Sequence, residues 1–156
     1  MLVRLGLRAG EVAALELDDV DWRCGEIVVR GKGNRHERLP LPTDVGRAVA
    51  AYLRRDRPTA ESRHVFLRVR APHQKLSSGG VTNAVIGAAH KAGLPAMGAH
   101  RLRHTAATEM LRAGAPLSEI GQVLRHRSPL STAIYAKVDR AALRELARPW
   151  PGGGSV

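Results

Sequence analysis

Two glycines, Gly93 and Gly114, divide the second half of the chain into segments of helical length. Gly93 follows a run from Gly80 to Ala92, and Gly114 follows a run from Arg101 to Ala113. A glycine directly after an amphipathic segment typically ends a helix, because glycine enters the left-handed conformation without strain. A proline at the start of a segment favours a new helix, here predicted from Pro116 to about Arg125. The second half is therefore predicted to be helical.

The first half carries the predicted strands. The runs EIVVRG and RHERLPLP have strand character, and GKGN between them suits a tight hairpin turn with Lys32 at its tip. A short helix is predicted over Leu7–Leu17, and a second helix is predicted to begin at the capping residue Thr43 and to end near Arg55. The buried face of the second helix is predicted to consist of Val45, Val49, Tyr52 and Leu53. The expected fold is mainly α with a small N-terminal antiparallel β-sheet, an α+β class.

The remaining segments set the expected domain limits. Residues 58–75 are irregular and basic, and predict a long surface loop with a short extended piece at Val65–Val69. Ser128 and Pro129 open a turn that carries Tyr135, and Asp139 caps a last helix to about Ala147. We expect one catalytic domain over residues 1–148 and a flexible tail over 149–156. The apolar, helical start MLVRLGLR suggests that the chain begins inside a longer unit.

Composition favours a polyanionic partner. The chain of 156 residues has 25 Lys and Arg against 14 Asp and Glu, a formal net charge of +11, and 44% hydrophobic residues. This charge favours nucleic acid, although an arginine-rich surface that is merely solvated would give the same count. One cysteine, Cys24, excludes an internal disulfide and a cysteine-based zinc site. With no signal peptide or long apolar span, a cytoplasmic, nucleoid-associated protein without a membrane partner is expected.

The stretch HRLRH admits two kinds of chemistry. His100 and His104 are one helical turn apart and could share a metal ion. A zinc hydrolase of that type has glutamate after the first histidine, where this chain has Arg101, and neighbouring arginines repel a dication. The alternative is that His100 and Arg103 grip a phosphate, with a guanidinium fork for two oxygens and an imidazole for a third or for proton transfer. The positive charge favours the phosphate site.

Each of the other candidate residues also has a common structural explanation when it is considered alone. Arg8 and Glu11 could form a surface i,i+3 ion pair, or Glu11 could orient the Arg8 guanidinium toward a site. His126 follows a helix and could be a cap or core-edge residue. Tyr135, nine residues further on, could be a half-buried aromatic.

The order and spacing of these segments together resemble the tyrosine recombinases, also called phage integrases. GLRAGEV resembles the first arginine box of that family, and VRGKGNRHERLPLP resembles its lysine hairpin. HRLRHTAAT resembles the His-x-x-Arg box, and EIGQVLRHRSPLSTAIYAKV resembles the segment with the final histidine and the nucleophilic tyrosine. The resemblance covers nearly the whole chain. It implies a catalytic set of Arg8, Lys32, His100, Arg103, His126 and Tyr135, with Glu11 as an accessory residue.

The resemblance also implies a reaction and its partners. Tyr135 would attack a DNA phosphodiester to give a 3′-phosphotyrosyl link, with no metal, nucleotide or other cofactor. Double-stranded DNA and further recombinase protomers assembled on it are the expected partners. The candidate contacts to DNA phosphates are Arg35, Arg101, Arg125 and Arg127. Arg101 stands where the family often has an acidic residue, and Arg125 stands where it often has a small one.

Two alternatives stay open at this stage. The first is a non-catalytic DNA-binding remnant, since family members usually carry an N-terminal DNA-binding domain and this chain starts at the first catalytic box. The second is a metal-dependent nuclease, supported by the acidic run from Leu17 to Asp21, which is otherwise interpreted as a solvated turn after a helix.

Overall fold

The computed structural model describes residues 1–31 and 36–125. Its β-strands are β1 (Val20–Asp21), β2 (Glu26–Arg30) and β3 (His36–Pro40). Its α-helices are α1 (Ala9–Ala14), α2 (Thr43–Arg55), α3 (Ser78–Lys91), α4 (Ala99–Arg112) and α5 (Leu117–Val123). A 3₁₀ turn over Leu17–Asp19 joins α1 to β1. The predicted class, mainly helical with a small sheet near the N-terminus, is confirmed.

The sheet is antiparallel, with strand order β1-β2-β3. The β2–β3 ladder extends from the pair Glu26 and Pro40 to the pair Arg30 and His36. Ile27 is fully buried, as expected where alternate side chains of a strand face the core. The predicted hairpin is therefore present, and residues 31–35 connect its two strands.

Two helices near the N-terminus differ from the sequence prediction. Within the predicted segment Leu7–Leu17 the α-helix covers Ala9–Ala14, and it ends there because Leu15 has an extended backbone with φ −64° and ψ 130°. The prediction that Thr43 caps α2 is wrong: Thr43 is the first helical residue and Pro42 is the N-cap, without a side-chain capping bond. A proline suits a helix start because its missing N–H would have had no helical partner.

Helices α3 and α4 end within one residue of their predicted ends but begin two residues earlier, whereas α5 begins just after the predicted Pro116, which is its N-cap, and ends at Val123, before the predicted Arg125. Helix α3 begins at Ser78, two residues before the expected Gly80, because the Ser77 hydroxyl accepts a hydrogen bond of 3.0 Å from the Gly80 backbone N–H. Helix α4 begins at Ala99. Gly93 and Gly114 follow the ends of α3 and α4 with φ of 67° and 86°, the left-handed conformation that glycine adopts without strain.

The described residues fall into two compact units, one from Met1 to Ala106 and one that begins at Ala107. The core of the first unit is aliphatic, and Leu7, Ile27 and Val65 are its fully buried members. Burial of each such side chain contributes about 1.5–3 kcal/mol. In the second unit, Ala107 packs with Ile120 and Leu124. The predicted limit between a domain over 1–148 and a tail lies outside the described residues.

The long basic segment, residues 58–75, is irregular as predicted, but it is not wholly a surface loop, because Val65 is fully buried and Leu67 is 4% exposed. The Arg57 guanidinium donates to the backbone carbonyls of Ser62, His64 and Val65. The extended piece predicted at Val65–Val69 does not form as a strand, and isolated β-bridges instead join Glu16 to His64 and Leu67 to Lys75.

Candidate active site

Arg8 is the N-cap of α1, and Glu11 fixes both its main chain and its side chain. The Arg8 backbone N–H donates to Glu11 Oε2 at 2.8 Å, and Arg8 Nη1 donates to Glu11 Oε1 at 2.7 Å. The Glu11 side chain is 7% exposed and that of Arg8 is 45% exposed. A buried carboxylate thus orients a guanidinium that still reaches solvent. The pair is therefore a guanidinium oriented by a buried carboxylate and not two freely solvated charges.

Arg103 lies in α4 and is buried, with 5% of its surface exposed. Its Nη1 donates a hydrogen bond to the backbone carbonyl of Gly6. Gly6 has a φ of 56°, in the left-handed region, and lies two residues before Arg8. The contact therefore brings the arginine of α4 to the chain segment that leads into α1. Arg103 is thereby bonded to a residue two positions before Arg8, although the two arginines are 95 positions apart in the chain (103 − 8 = 95).

His100 and His104 share a face of α4. Their ring centroids are 4.5 Å apart, and the ring planes meet at 78°, an edge-to-face contact. His100 is exposed and His104 is half-buried. Burial lowers the pKa of His104, and the nearby charges of His100 and Arg103 lower it further. His104 is therefore neutral at neutral pH.

The acidic run after α1 differs from its prediction as a solvated turn. Asp19 is 5% exposed, and its Oδ1 accepts a hydrogen bond of 2.9 Å from Arg30 Nη2 at the end of β2. The sequence interpretation missed this pair. A signal was present, because an acidic turn beside a strand that ends in arginine offers both charges of an ion pair.

The phosphate-contact candidates that the structure describes have different surroundings. Arg101 is exposed on α4. In the second unit, Arg125 follows α5 with a φ of 55°, and its backbone N–H donates to the Gln122 carbonyl at 2.9 Å. A side chain in this left-handed conformation costs roughly 1 kcal/mol relative to glycine.

Several predicted residues lie outside the described part of the chain, and their assignments stay predictions. They are Lys32, Arg35, His126, Arg127 and Tyr135. The turn at Ser128 and the last helix from Asp139 also fall there.

Within residues 1–31 and 36–125, no group of three or more His, Cys, Asp and Glu side chains could hold a metal ion. The buried carboxylate of the acidic run, Asp19, is already paired with Arg30. Over the same ranges, none of the helices has the length and apolar character needed to cross a bilayer.

Comparisons with known proteins agree with the arrangement of the motifs. The model of the phage integrase family matches residues 1–142. Over 154 residues the chain is 55% identical to y4rA of Sinorhizobium fredii, named as a candidate integrase/recombinase, a match that spans 97% of this chain and 37% of y4rA.

Two solved recombinase structures have the same fold. The crystal structure of XerA recombinase matches with a TM-score of 0.77 and 31% identity, over 96% of this chain and 56% of XerA. The site-specific recombinase XerH, bound to its difH substrate in a pre-cleavage complex, matches with a TM-score of 0.73 and 25% identity, over 97% of this chain and 45% of XerH. The chain thus spans about half or less of the length of these three proteins. Because the family model matches residues 1–142, most of this chain, the chain belongs to the phage integrase family, the tyrosine recombinases, and has the fold of their catalytic domain.

Proposed function

We propose that this chain is the catalytic domain of a DNA strand-transferase that cleaves and rejoins DNA through a 3′-phosphotyrosyl intermediate. The observation that carries the proposal is the hydrogen bond from Arg103 to the Gly6 carbonyl. This bond supports the proposal because it brings Arg103 to the segment that leads into Arg8, and a shared phosphate site needs both arginines near one another. Glu11 supports the same function, because it orients Arg8 from the next helical turn.

The first step is attack of the Tyr135 oxygen on the phosphorus. A phenol with a pKa near 10 is a weak nucleophile at neutral pH, so the proton must pass to a base, the role proposed for His100. Negative charge then builds on the non-bridging oxygens. Arg8 and Arg103 neutralise this charge, and His126 adds a hydrogen bond. These residues together supply the positive charge that a divalent ion supplies in other phosphoryl-transfer enzymes.

The second half of the step is departure of the 5′ oxygen. The P–O5′ bond breaks, and Lys32 donates the proton that turns the leaving alkoxide into a hydroxyl. The new phosphotyrosyl bond is again a phosphodiester. A 5′-hydroxyl from another strand can therefore reverse the reaction and exchange strands, with no nucleotide cofactor and no consumption of water.

Double-stranded DNA and further protomers assembled on it are the proposed partners. The net charge of +11 favours a phosphate-rich partner. The similar XerH was solved on its difH substrate. We assign Arg101, with Arg35, Arg125 and Arg127, to DNA phosphates outside the cleavage site. The work of such a protein on chromosomal or mobile DNA places it in the cytoplasm, associated with the nucleoid.

The test uses the chain's two tyrosines as a matched pair. The full chain is incubated in EDTA with nicked DNA substrates, whose cleavage releases a short strand that diffuses away and traps the covalent adduct. Y135F is expected to abolish the adduct and to leave DNA affinity unchanged within about twofold, since only one hydroxyl is lost. Y52F is the control. The Tyr52 hydroxyl accepts a hydrogen bond from the Leu67 backbone at 3.3 Å, and its loss should leave adduct formation intact.

Other outcomes would point elsewhere. Adduct formation by Y135F would contradict the assigned nucleophile. Cleavage that EDTA abolishes would favour the metal-dependent nuclease. DNA binding by the wild-type chain without any adduct would favour the non-catalytic DNA-binding remnant.

A further inference from the structure

The segment from Leu67 to Lys75 forms a loop that its own backbone closes. An isolated antiparallel β-bridge joins Leu67 to Lys75 at the base of the loop. One step further along, the Arg68 backbone N–H donates a hydrogen bond to the Gln74 carbonyl at 2.9 Å. The two arms of the segment are therefore bonded to each other, and we name this segment the 67–75 loop.

The base of the 67–75 loop is fixed to the core of the first unit. Leu67 is buried, and its backbone N–H donates to the Tyr52 hydroxyl at 3.3 Å. On the other arm, the Leu76 backbone N–H donates to the Phe66 carbonyl at 2.9 Å. The Phe66 and Tyr52 rings are in contact, with centroids 5.3 Å apart. The loop is thus ordered before any ligand binds, which lowers the entropy cost of binding.

The charged side chains of the 67–75 loop are all basic. Arg68, Arg70 and Lys75 are exposed, and within residues 1–31 and 36–125 none of the three side chains forms an ion pair or a hydrogen bond. In contrast, the exposed Arg63, five residues before Arg68, pairs with Asp18. Neighbouring cations without an anion repel one another, so an added polyanion would stabilise this arrangement.

The sequence around the 67–75 loop has the same imbalance of charge. Between Glu61 and Glu109 the chain has no aspartate or glutamate, whereas it has seven lysines and arginines. A surface that is merely solvated usually mixes charges of both signs. The positive charge of this chain is therefore concentrated in one continuous stretch, as expected for a surface that binds a polyanion.

The 67–75 loop leads into a helix that lies against the start of α4. A Cβ atom placed on Gly98 would lie 3.1 Å from Thr82 Cγ2, so the second turn of α3 is in close contact with the residue before α4. Lys75 precedes Thr82 by seven residues. At most about 3.5 Å per extended residue and 1.5 Å per helical residue put Lys75 within roughly 17 Å of Thr82. His100 follows Gly98 by two residues. One duplex, with a phosphate about every 3.4 Å along each strand, can therefore reach both the loop and His100.

We propose that the 67–75 loop is a DNA-binding element in which Arg68, Arg70 and Lys75 bind backbone phosphates of the duplex that enters the cleavage site. The inference rests on the proposed function, because it takes double-stranded DNA as the substrate. Guanidinium and ammonium groups bind phosphate oxygens without reading the bases. The loop therefore supplies affinity and orientation but no sequence preference, and it adds to the phosphate contact assigned to Arg101 on α4.

The test measures how the affinity of the full chain for a short duplex of arbitrary sequence depends on salt. Each phosphate contact contributes about 0.9 to the slope of the logarithm of affinity against the logarithm of salt concentration. R68Q/R70Q removes two proposed contacts, so the slope should become less steep by about 1.8. Its affinity at about 0.1 M salt should fall by up to roughly 60-fold. K75Q should make the slope less steep by about 0.9.

R23Q/R63Q is the matched control. It also removes two exposed arginines from the first unit, so the net charge changes by the same amount. These two arginines lie beside carboxylates: Arg63 pairs with Asp18, and the Arg23 backbone N–H donates to Asp21 Oδ1 at 3.0 Å. The slope of the control should change by less than about half of one contact. Circular dichroism during urea unfolding shows whether each variant is folded under the assay conditions.

Adduct formation on nicked DNA gives a second, independent measurement. R68Q/R70Q should form the adduct at the wild-type rate when DNA is saturating, and more slowly when DNA is limiting, because the loop binds and does not react. A lower rate at saturating DNA would place the loop in the chemical step and would overturn the inference.

Two results of the salt titration would also overturn it. Equal slope changes for R68Q/R70Q and R23Q/R63Q would show that only the net charge matters. An unchanged slope for R68Q/R70Q would show that the loop makes no phosphate contact. Failure of the proposed function is seen separately, because a wild-type chain that gives the expected slopes but no adduct binds DNA through the loop without cleaving it.

Discussion

Removal of the Glu11 charge should destabilise the protein more than removal of an equivalent surface charge. In E11Q one carboxylate oxygen becomes an NH₂ group. One of the two hydrogen bonds from Arg8 is then lost, and the other no longer involves an anion. Hydrogen bonds to charged groups contribute about 1.5–3 kcal/mol each, and the capping bond is the more protected of the two because Glu11 is buried. Water compensates in part at the exposed Arg8 side chain. We expect the free energy of unfolding to fall by about 1–2 kcal/mol.

The matched comparison is E109Q. Glu109 and Arg112 form an i,i+3 ion pair of the same type at 2.9 Å, but their side chains are 60% and 71% exposed. Loss of this pair should cost less than about 0.5 kcal/mol. Urea unfolding followed by circular dichroism, with both variants analysed at a common m-value, measures the difference. Equal midpoints for E11Q and E109Q would refute the argument from burial.

Three further predictions concern other parts of the molecule. R125G should raise stability by roughly 1 kcal/mol by relieving the left-handed backbone, and should weaken DNA binding if the side chain contacts a phosphate; an unchanged unfolding midpoint would contradict the conformational argument. Because the pKa of His104 is lowered in the folded state, the unfolded chain takes up the proton more readily, so stability should fall as pH drops below the ordinary histidine value of 6.5. H104Q should make the free energy of unfolding depend less on pH between pH 7 and 5. An unaltered slope in H104Q would show that other groups cause this pH dependence. L7A should cost about 2–5 kcal/mol, since Leu7 is fully buried, whereas V69A at a position 82% exposed should be nearly neutral in the same urea titration.

The sequence predicted the elements of this fold well where a local signal exists. Glycine at a helix end and alternation within a strand act over a few residues, and Gly93, Gly114 and the β2–β3 hairpin lie as expected. The predicted first residues of the helices are less accurate than the predicted ends. The Ser77 cap was overlooked, and the cap assigned to Thr43 belongs to Pro42. Several residues near a helix start can serve as its cap, so a sequence pattern leaves the choice open.

Contacts between distant segments could not be predicted from the sequence. Motif order identified Arg8 and Arg103 as candidates, but the carbonyl that holds Arg103 belongs to Gly6, and any backbone position could have served. The sequence pattern assigns Asp19 to a solvated turn, whereas its partner, Arg30, is 11 positions away and is brought to it by the antiparallel sheet. Such pairs form only because the tertiary fold brings distant segments of the chain together.

The anchor of Arg103 is a main-chain atom, and this has a genetic consequence. No side-chain substitution can delete the Gly6 carbonyl, so mutations near it act only by changing the course of the backbone. Gly6 occupies the left-handed region, and any other residue there would tend to rotate the peptide that bears the acceptor. A substitution of Gly6 would therefore disturb both the segment that leads into Arg8 and the hydrogen bond of Arg103. Intragenic suppressors of a Gly6 mutation should then map to the distant helix α4, in preference to the neighbouring residues of the first box.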